Sequence, residues 1–291
     1  MNKIIVIPVY KQEPTADEQL SLRQCLKILS AHPVCLVCPK SLNIQAYCEA
    51  AQRDIPCERF DDNFFKGIEG YNRLMQSRDF YKRFAAFEYM LIYQLDAWVF
   101  RDELEAWCQK GYDYIGAPWF EKHFSHEEGY KLWCAGNGGF SLRRIPTFIR
   151  VLKPRQRMKT IHEIFRNDYH SISDLGHCLM LCMGPLFGSN SMHHYMKSGD
   201  MQQMWEDEFF CIGLSSTHYR LRIPSPEEAA HFSFEISPQY LFDEITQGKL
   251  PFGCHAWRKY QYEDFWKHYI NFPEKYLQNA KKKSIFAPND K

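Results

Sequence analysis

Four short stretches of this 291-residue chain carry side chains whose types and spacing could do chemistry. The first is Tyr93-Gln94-Leu95-Asp96-Ala97-Trp98, an acid set at the end of an apolar run. A carboxylate there is costly to leave without a partner. Asp96 therefore either caps the next turn, as strand-ending Asp commonly does, or binds something positive. The functional reading is a divalent cation held against a diphosphate, because a hard cation takes oxygen ligands and phosphate oxygens can complete its shell. The second stretch is Glu206-Asp207. Adjacent carboxylates repel, which raises one pKa and suits the pair to act as base and hydrogen-bond anchor; helix-capping acids are the alternative. The third is Gly136-Asn137-Gly138-Gly139, with more glycine than a turn needs, so the backbone can approach a ligand closely or take up positive φ. The fourth is His255, two residues after Gly253, which either has a structural role or completes a mixed oxygen and nitrogen metal site or a phosphate site.

Something must hold these groups in place. Residues 3–10, KIIVIPVY, read as the first central strand of a parallel sheet. Thr15 and Glu18 form a capping box, and Leu22, Leu26 and Leu29 continue a helix to about Ser30. A strand is expected over 34–38, a helix over 42–52, a short strand over 57–60, a helix over 71–87 and a buried strand over 88–93. Such alternation predicts an α/β chain with a Rossmann-like, mostly parallel central sheet flanked by helices, whose ligands sit at the carboxyl ends of the strands. Residues 1–110 form this half. Residues 111–260 form a less regular second half, with a strand from 112 towards Trp119, a return strand after Gly139, a helix over 158–183, a loop over 184–200 and a helix opening at Glu206. Residues 261–291 form a last helix and tail that includes Lys281, Lys282 and Lys283. The three pieces are expected to make one compact domain.

Composition excludes several classes. With 36 Lys and Arg against 35 Asp and Glu the net charge is +1, too even for a general nucleic-acid binder. At 45% apolar and 24% charged residues the chain is neither disordered nor collagen-like. The eleven scattered cysteines read as free thiols of a cytoplasmic protein. Cys35 and Cys38 lie on a strand whose alternation sends them to opposite faces. Cys178 and Cys182, near His170, His177, His193 and His194, fall in a Leu- and Met-rich segment that reads as core before it reads as structural zinc. The first apolar run is too short for a signal peptide or a membrane span, and the triple Lys allows at most peripheral contact with anionic lipid. Aromatic residues reach 16%. Of these Trp98, Trp119 and Trp205 sit beside the candidate stretches, where a ring could stack on a sugar or a base.

In their order along the chain, the four stretches resemble glycosyltransferases of the A-type fold. Together with Asp113-Tyr-Ile-Gly-Ala-Pro-Trp119 they are most similar to an uncharacterised, glycosyltransferase-like bacterial family. The resemblance runs from Ile4 to about Trp257. It implies an enzyme that transfers a sugar from a nucleotide-sugar donor, UDP-sugar favoured, to a glycan or lipid-linked acceptor, with inversion, in bacterial surface glycan synthesis. Asp96 and His255 would hold a divalent cation, Mn or Mg. Pro8, Val9, Tyr10, Lys11, Asn72, Arg73, Gln94 and Asp96 would border the donor, and Trp119, Asn137, Gly138, Gly139 and Trp205 the acceptor. Asp207 would be the general base and Glu206 would hold an acceptor hydroxyl. Where such enzymes carry two carboxylates, this chain has Gln94 and Asp96. Metal-independent transfer, or a non-catalytic nucleotide- or glycan-binding protein of the same fold, therefore stays open. A nucleotidyltransferase would need a Gly-rich basic loop after the first strand, and Pro8-Val9-Tyr10-Lys11-Gln12 is not one. A scaffold role is the remaining alternative.

Overall fold

The computed structural model describes residues 1–121 and 131–270. The strands, in chain order, are β1 (Lys3–Pro8), β2 (Val34–Pro39), β3 (Cys57–Phe60), β4 (Tyr89–Tyr93), β5 (Trp98–Val99), β6 (Tyr114–Ile115), β7 (Pro118–Phe120), β8 (Leu132–Ala135), β9 (Phe140–Arg144), β10 (Ser233–Phe234) and β11 (Gly253–Cys254). Six of them form a central sheet in the order β3-β2-β1-β4-β9-β6. The pairs β1–β2, β1–β4 and β2–β3 are parallel, and β9 runs antiparallel to both β4 and β6.

Both faces of this sheet are covered, which is why its strands read as continuous apolar runs instead of alternating ones. Ile5, Ile7, Leu36, Leu91 and Leu142 pack on one side with Leu22 and Cys25 of α1 (Ala16–Ile28) and with Leu29, the residue that caps it. Ile4, Val6, Val37, Met90 and Ile92 pack on the other with Leu74, Phe80, Tyr81 and Phe148. The Thr15 capping box is formed: the Glu18 N–H donates to Thr15 Oγ1 at 3.3 Å, and the Thr15 N–H to Glu18 Oε2 at 2.7 Å. Cys35 and Cys38 do part to opposite faces of β2, and all eleven cysteines are free thiols.

The helices that follow are α2 (Gln45–Ala51), α3 (Gly67–Met75), α4 (Arg78–Arg83), α5 (Leu104–Gln109), α6 (Ile145–Val151), α7 (Ile161–Asn167) and α8 (Leu175–Phe187). Three expectations change. The single helix over 71–87 is two, because Ser77 is extended (φ −85°, ψ 121°) between α3 and α4. The helix over 158–183 is also two, since residues 153–160 are not helical and the Ser171–Asp174 cap restarts the chain ahead of α8. The loop over 184–200 is partly helical, with α8 running on to Phe187 and a further turn at Met192–Met196. Cys178 is buried as expected, but most of α8 around it is exposed. Residues 271–291, with Lys281, Lys282 and Lys283, lie outside the described residues, as does the segment 122–130.

From β1 the chain moves outward through β2 and β3, then returns to the other side of β1 to make β4. In open α/β sheets such a reversal places the ligand crevice at the carboxyl ends of the two strands, here β1 and β4. The second half closes over it. β11 pairs with β5 and β10, which carries His255 to the loop after β4.

One buried ionic contact ties the segment after Trp205 to the central sheet. Arg143, on β9, is fully buried, and its guanidinium forks onto Glu206: Nη2 lies 2.7 Å from Oε1 and Nη1 3.0 Å from Oε2. Removing one partner of a buried pair strands the other charge in a medium that cannot solvate it. Glu206→Gln should therefore cost about 3–5 kcal/mol in denaturant unfolding. The double change Arg143→Met with Glu206→Leu should cost clearly less than the single one. Equal losses would contradict the pair's role as a matched buried ion pair.

Candidate functional site

At the carboxyl end of β4, the Gln94 N–H donates to the Gly139 carbonyl (2.9 Å) and the Ala97 N–H to the Gln94 carbonyl (2.9 Å). The resulting turn holds the Asp96 side chain at the strand end, 55% exposed. His255 reaches the same turn from β11. Its Nε2 lies 3.2 Å from both Asp96 Oδ1 and Gln94 Oε1, and its Nδ1 lies 3.1 Å from Glu235 Oε1. The other Glu235 oxygen accepts from Asn137 Nδ2 at 2.5 Å, and Asn137 Oδ1 accepts from the Gly139 N–H at 3.2 Å.

Both ring nitrogens of His255 thus face only acceptors, so both must donate and the ring is an imidazolium. Burial by itself would lower its pKa. The Asp96 charge and the hydrogen bonds to Asp96 and Glu235 outweigh that and raise it to about 10. In return, against the opposing effect of burial, the His255 charge holds Asp96 below the usual carboxylate range.

A second group lies on the other side of the same backbone. The Gly138 N–H donates to Asp207 Oδ2 and the Glu208 N–H to Asp207 Oδ1, each at 2.9 Å. Asp207 is only 8% exposed. Burial, and then the neighbouring Glu206 charge, push its carboxyl up to about 7, against the two N–H donors. Glu206 is 3% exposed, with both oxygens turned to Arg143, and its own N–H donates to Asn72 Oδ1 of α3 at 3.3 Å.

The glycines explain how the two groups come so close. The positive φ of the run sits at Asn137 (40°) and not at a glycine. A Cβ on Gly138 would lie 2.2 Å from Glu206 Oε1, one on Gly139 2.0 Å from His255 Nε2, and one on Gly136 2.2 Å from the Trp119 ring. Each glycine makes room for a side chain brought in from a distant part of the sequence.

The remaining candidates spread out from this centre. Pro8 and Val9 are buried at the end of β1, while Tyr10 and Lys11 are exposed beside it. The Lys11 pKa is raised first by its hydrogen bond to Glu18 and more weakly by the charge of Asp96. Asn72 joins the Glu206 group. Arg73 does not: it is exposed and bonds back to the Asn63 carbonyl. Of the three tryptophans, Trp98 is buried against Trp257 and Trp119 is buried over Gly136, while Trp205 presents an exposed ring, 54% accessible.

Sequence reasoning missed Glu235, Arg143 and Tyr81, whose hydroxyl accepts from Arg143 at 3.0 Å. The signal for Glu235 was available: like Asp96, it is an acid set among apolar residues, in Phe232-Ser233-Phe234-Glu235-Ile236.

A divalent cation is the group this arrangement would take if it takes one. Asp96 with Gln94 Oε1 and His255 is a mixed oxygen and nitrogen set suited to such an ion. Glu235 cannot join it, because it contacts the opposite edge of the ring. Among the described residues no three His, Cys, Asp or Glu side chains converge on one ion position. The crowding at Gly139 gives a direct check. In wild type, His255 followed by NMR should stay protonated beyond pH 9, and in Gly139→Ala, where the new methyl displaces the ring, it should titrate near ~6.5. A His255 resonance unchanged by Gly139→Ala would contradict the packing described.

No curated protein matches the sequence. Solved structures that resemble the chain include core-mannan synthase A (CmsA/Ktr4) from Aspergillus fumigatus in its Mn/GDP form, at 10% identity over 71% of each chain with a TM-score of 0.35. An active-site mutant of LgtC matches at 11% identity over 96% of this chain and 95% of that one, with a TM-score of 0.49. The galactosyltransferase LgtC in complex with donor and acceptor sugar analogs matches at 10% identity over 94% and 99%, with a TM-score of 0.44. Likenesses at this level carry no activity across to this chain. Residues 54–255, the greater part of the sequence, match the family described as Protein of unknown function (DUF5672), and the chain belongs to that family.

Proposed function

We propose that the protein is a glycosyltransferase that moves a sugar from a nucleoside-diphosphate sugar, a UDP-sugar favoured, to a hydroxyl of a glycan or lipid-linked acceptor, with inversion, in cytoplasmic assembly of bacterial surface glycans. The observation that carries this reading is a buried carboxyl, Asp207, held on the Gly138 N–H and poised near neutral pH, next to the Asp96–His255 pair at the strand ends. The donor lies along the carboxyl ends of β1 and β4, bordered by residues 8–11, Asn72, Arg73 and Gln94. Lys11 offers positive charge to its diphosphate, and so does the His255 imidazolium where no cation is bound. Asp96 would repel that diphosphate unless a cation, Mn or Mg, stood between them, and this is the role in which its exposed carboxylate fits. Such an ion would be held by Asp96, and by His255 once its Nε2 proton is gone, and would supply charge neutralisation to the leaving group.

Asp207 takes the proton of the acceptor hydroxyl as the new bond to the sugar's anomeric carbon forms. The bond to the diphosphate oxygen breaks, and its electron pair leaves with the nucleoside diphosphate. Each Asp207 oxygen holds one backbone N–H and keeps a lone pair for this work. Glu206, forked to Arg143, keeps a fixed negative charge beside Asp207 and would anchor an acceptor hydroxyl through its remaining lone pairs. Trp119, Asn137, Gly138 and Gly139 line the acceptor side, and the open Trp205 ring stacks on a sugar.

Asp207→Asn should lower kcat about 100-fold or more while leaving nucleotide binding intact. In wild type, kcat/KM should rise about tenfold per pH unit up to about 7 and then level, since only the deprotonated carboxylate accepts the proton. Normal turnover by a folded Asp207→Asn protein would remove it as the base. The second reading, a non-catalytic nucleotide- or glycan-binding protein, is favoured by the single carboxylate at the Gln94–Asp96 turn. Calorimetric titration with UDP separates the two. Under the transferase reading Mn strengthens UDP binding and Asp96→Ala abolishes that gain, whereas binding that ignores Mn, with no transfer from any donor, supports the non-catalytic protein.

A further inference from the structure

The Leu- and Met-rich stretch that reads as core in the sequence is the most exposed apolar surface among the described residues. α8 (LGHCLMLCMGPLF) has no charged residue in its 13 positions. At 100° per residue, the exposed Leu175, Leu186, Leu179, Met183, Phe187 and Met180 fall in that order across about 140° of the helix. Cys178 is buried on the opposite side, with Leu181, Cys182 and Pro185 half-buried around it. Ile172, in the turn before the helix, extends the stripe and is 83% exposed; Phe187 at the far end is 74% exposed. Solitary exposed apolar residues are ordinary, but a continuous stripe this wide marks a contact surface.

Charge identifies what the surface meets. Residues 150–159, RVLKPRQRMK, hold five Lys and Arg and no acid. This segment is bonded to the second half of α8: Arg157 donates to the Cys182 carbonyl at 2.7 Å. Asn190 then joins the two, accepting from the Met158 N–H at 3.1 Å and donating to the Leu181 carbonyl at 3.1 Å. Lys159 is paired with Asp168, while Arg150, Lys153 and Arg155 are exposed. Between residues 150 and 200 there are seven Lys and Arg against four Asp and Glu, in a chain whose total is only +1. The cations are thus concentrated beside the apolar stripe, and the rest of the molecule is slightly acidic. A second copy docking through α8 would meet the same patch across a two-fold axis and bring two basic segments towards each other. An anionic lipid surface offers hydrocarbon to the stripe and negative headgroups to the basic segment at once. No helix among the described residues is long and apolar enough to cross a membrane.

We infer that α8 lies in the headgroup region of an anionic bilayer, apolar arc inward, with the 150–159 segment on the lipid headgroups. This docking surface is independent of the glycosyltransferase reading and of the triple Lys near the end of the chain.

Co-sedimentation of the full chain with vesicles of phosphatidylcholine, with and without phosphatidylglycerol, tests it. Wild type should bind the mixed vesicles, less so as salt is raised, and should bind pure phosphatidylcholine weakly. Met183→Glu and Leu179→Glu should each reduce partitioning by about tenfold or more, and Lys153→Glu with Arg155→Glu should remove the preference for the anionic lipid. The substituted side chains are exposed, so folding is little affected. Ile68→Glu, an equally exposed apolar position on α3, should bind as wild type does. Failure to sediment with anionic vesicles, or equal loss in Ile68→Glu, would overturn the inference. A lipid-free dimer in analytical ultracentrifugation that Met183→Glu dissociates would overturn it in favour of self-association.

Discussion

The molecule turns on a guanidinium buried in its central sheet. Arg143 has no access to water, and everything that makes its position tolerable comes from elsewhere in the chain: Glu206 forks onto it, the Tyr81 hydroxyl and Ser141 Oγ accept from it, and the Tyr114 ring lies 5.1 Å from its charge. A buried pair of this kind contributes little stability compared with apolar packing of the same volume, but it admits few alternative arrangements. Here it fixes where the short segment after Trp205 meets the sheet. Asp207 then has no freedom of its own: it is carried to the Gly138 N–H, out of water and beside a fixed negative charge, and its raised pKa follows from that address.

The two groups of side chains around Gly138 and Gly139 are built alike, each with one cation set against two carboxyls. On the crevice side, His255 is squeezed between Asp96 and Glu235 and keeps its proton well above neutral pH, so its charge is spent on its own two carboxylates. On the other side a carboxyl is held where proton and solution compete on nearly equal terms. His255 and Asp207 are both raised above their ordinary pKa values, one packed against Gly139 and the other bonded to the Gly138 N–H, and perturbed groups of this kind mark a site.

Much of this was legible in the sequence, for identifiable reasons. The β1–α1–β2 unit was readable because a capping box and a continuous β-branched run are local signals, and the acids, glycines and histidine stood out by type. What escaped depended on partners remote in sequence. Arg143 sits at the end of an apolar strand where nothing nearby announces Glu206, 63 residues on. The break between α3 and α4 carries no Gly or Pro to mark it. α8 was misread because helical spacing of apolar residues reports that a face exists and not whether another element covers it.

The glycine run shows the same limit from the other direction. Its density was visible, and the chemical reading of it was a backbone opened to a ligand. In the fold the space left by the absent Cβ atoms is filled by the chain's own side chains, Glu206 at Gly138, His255 at Gly139 and the Trp119 ring at Gly136. The one residue in the run with left-handed backbone is Asn137, whose carbonyl accepts from the Tyr114 hydroxyl and whose amide bonds to Glu235. Three segments, 117–119, 205–207 and 253–255, converge on four consecutive positions, and only glycine lets them do so without pushing one another away. Alanine at any of the three would act through volume and not through backbone freedom. The site is therefore sensitive at residues that themselves carry no chemistry.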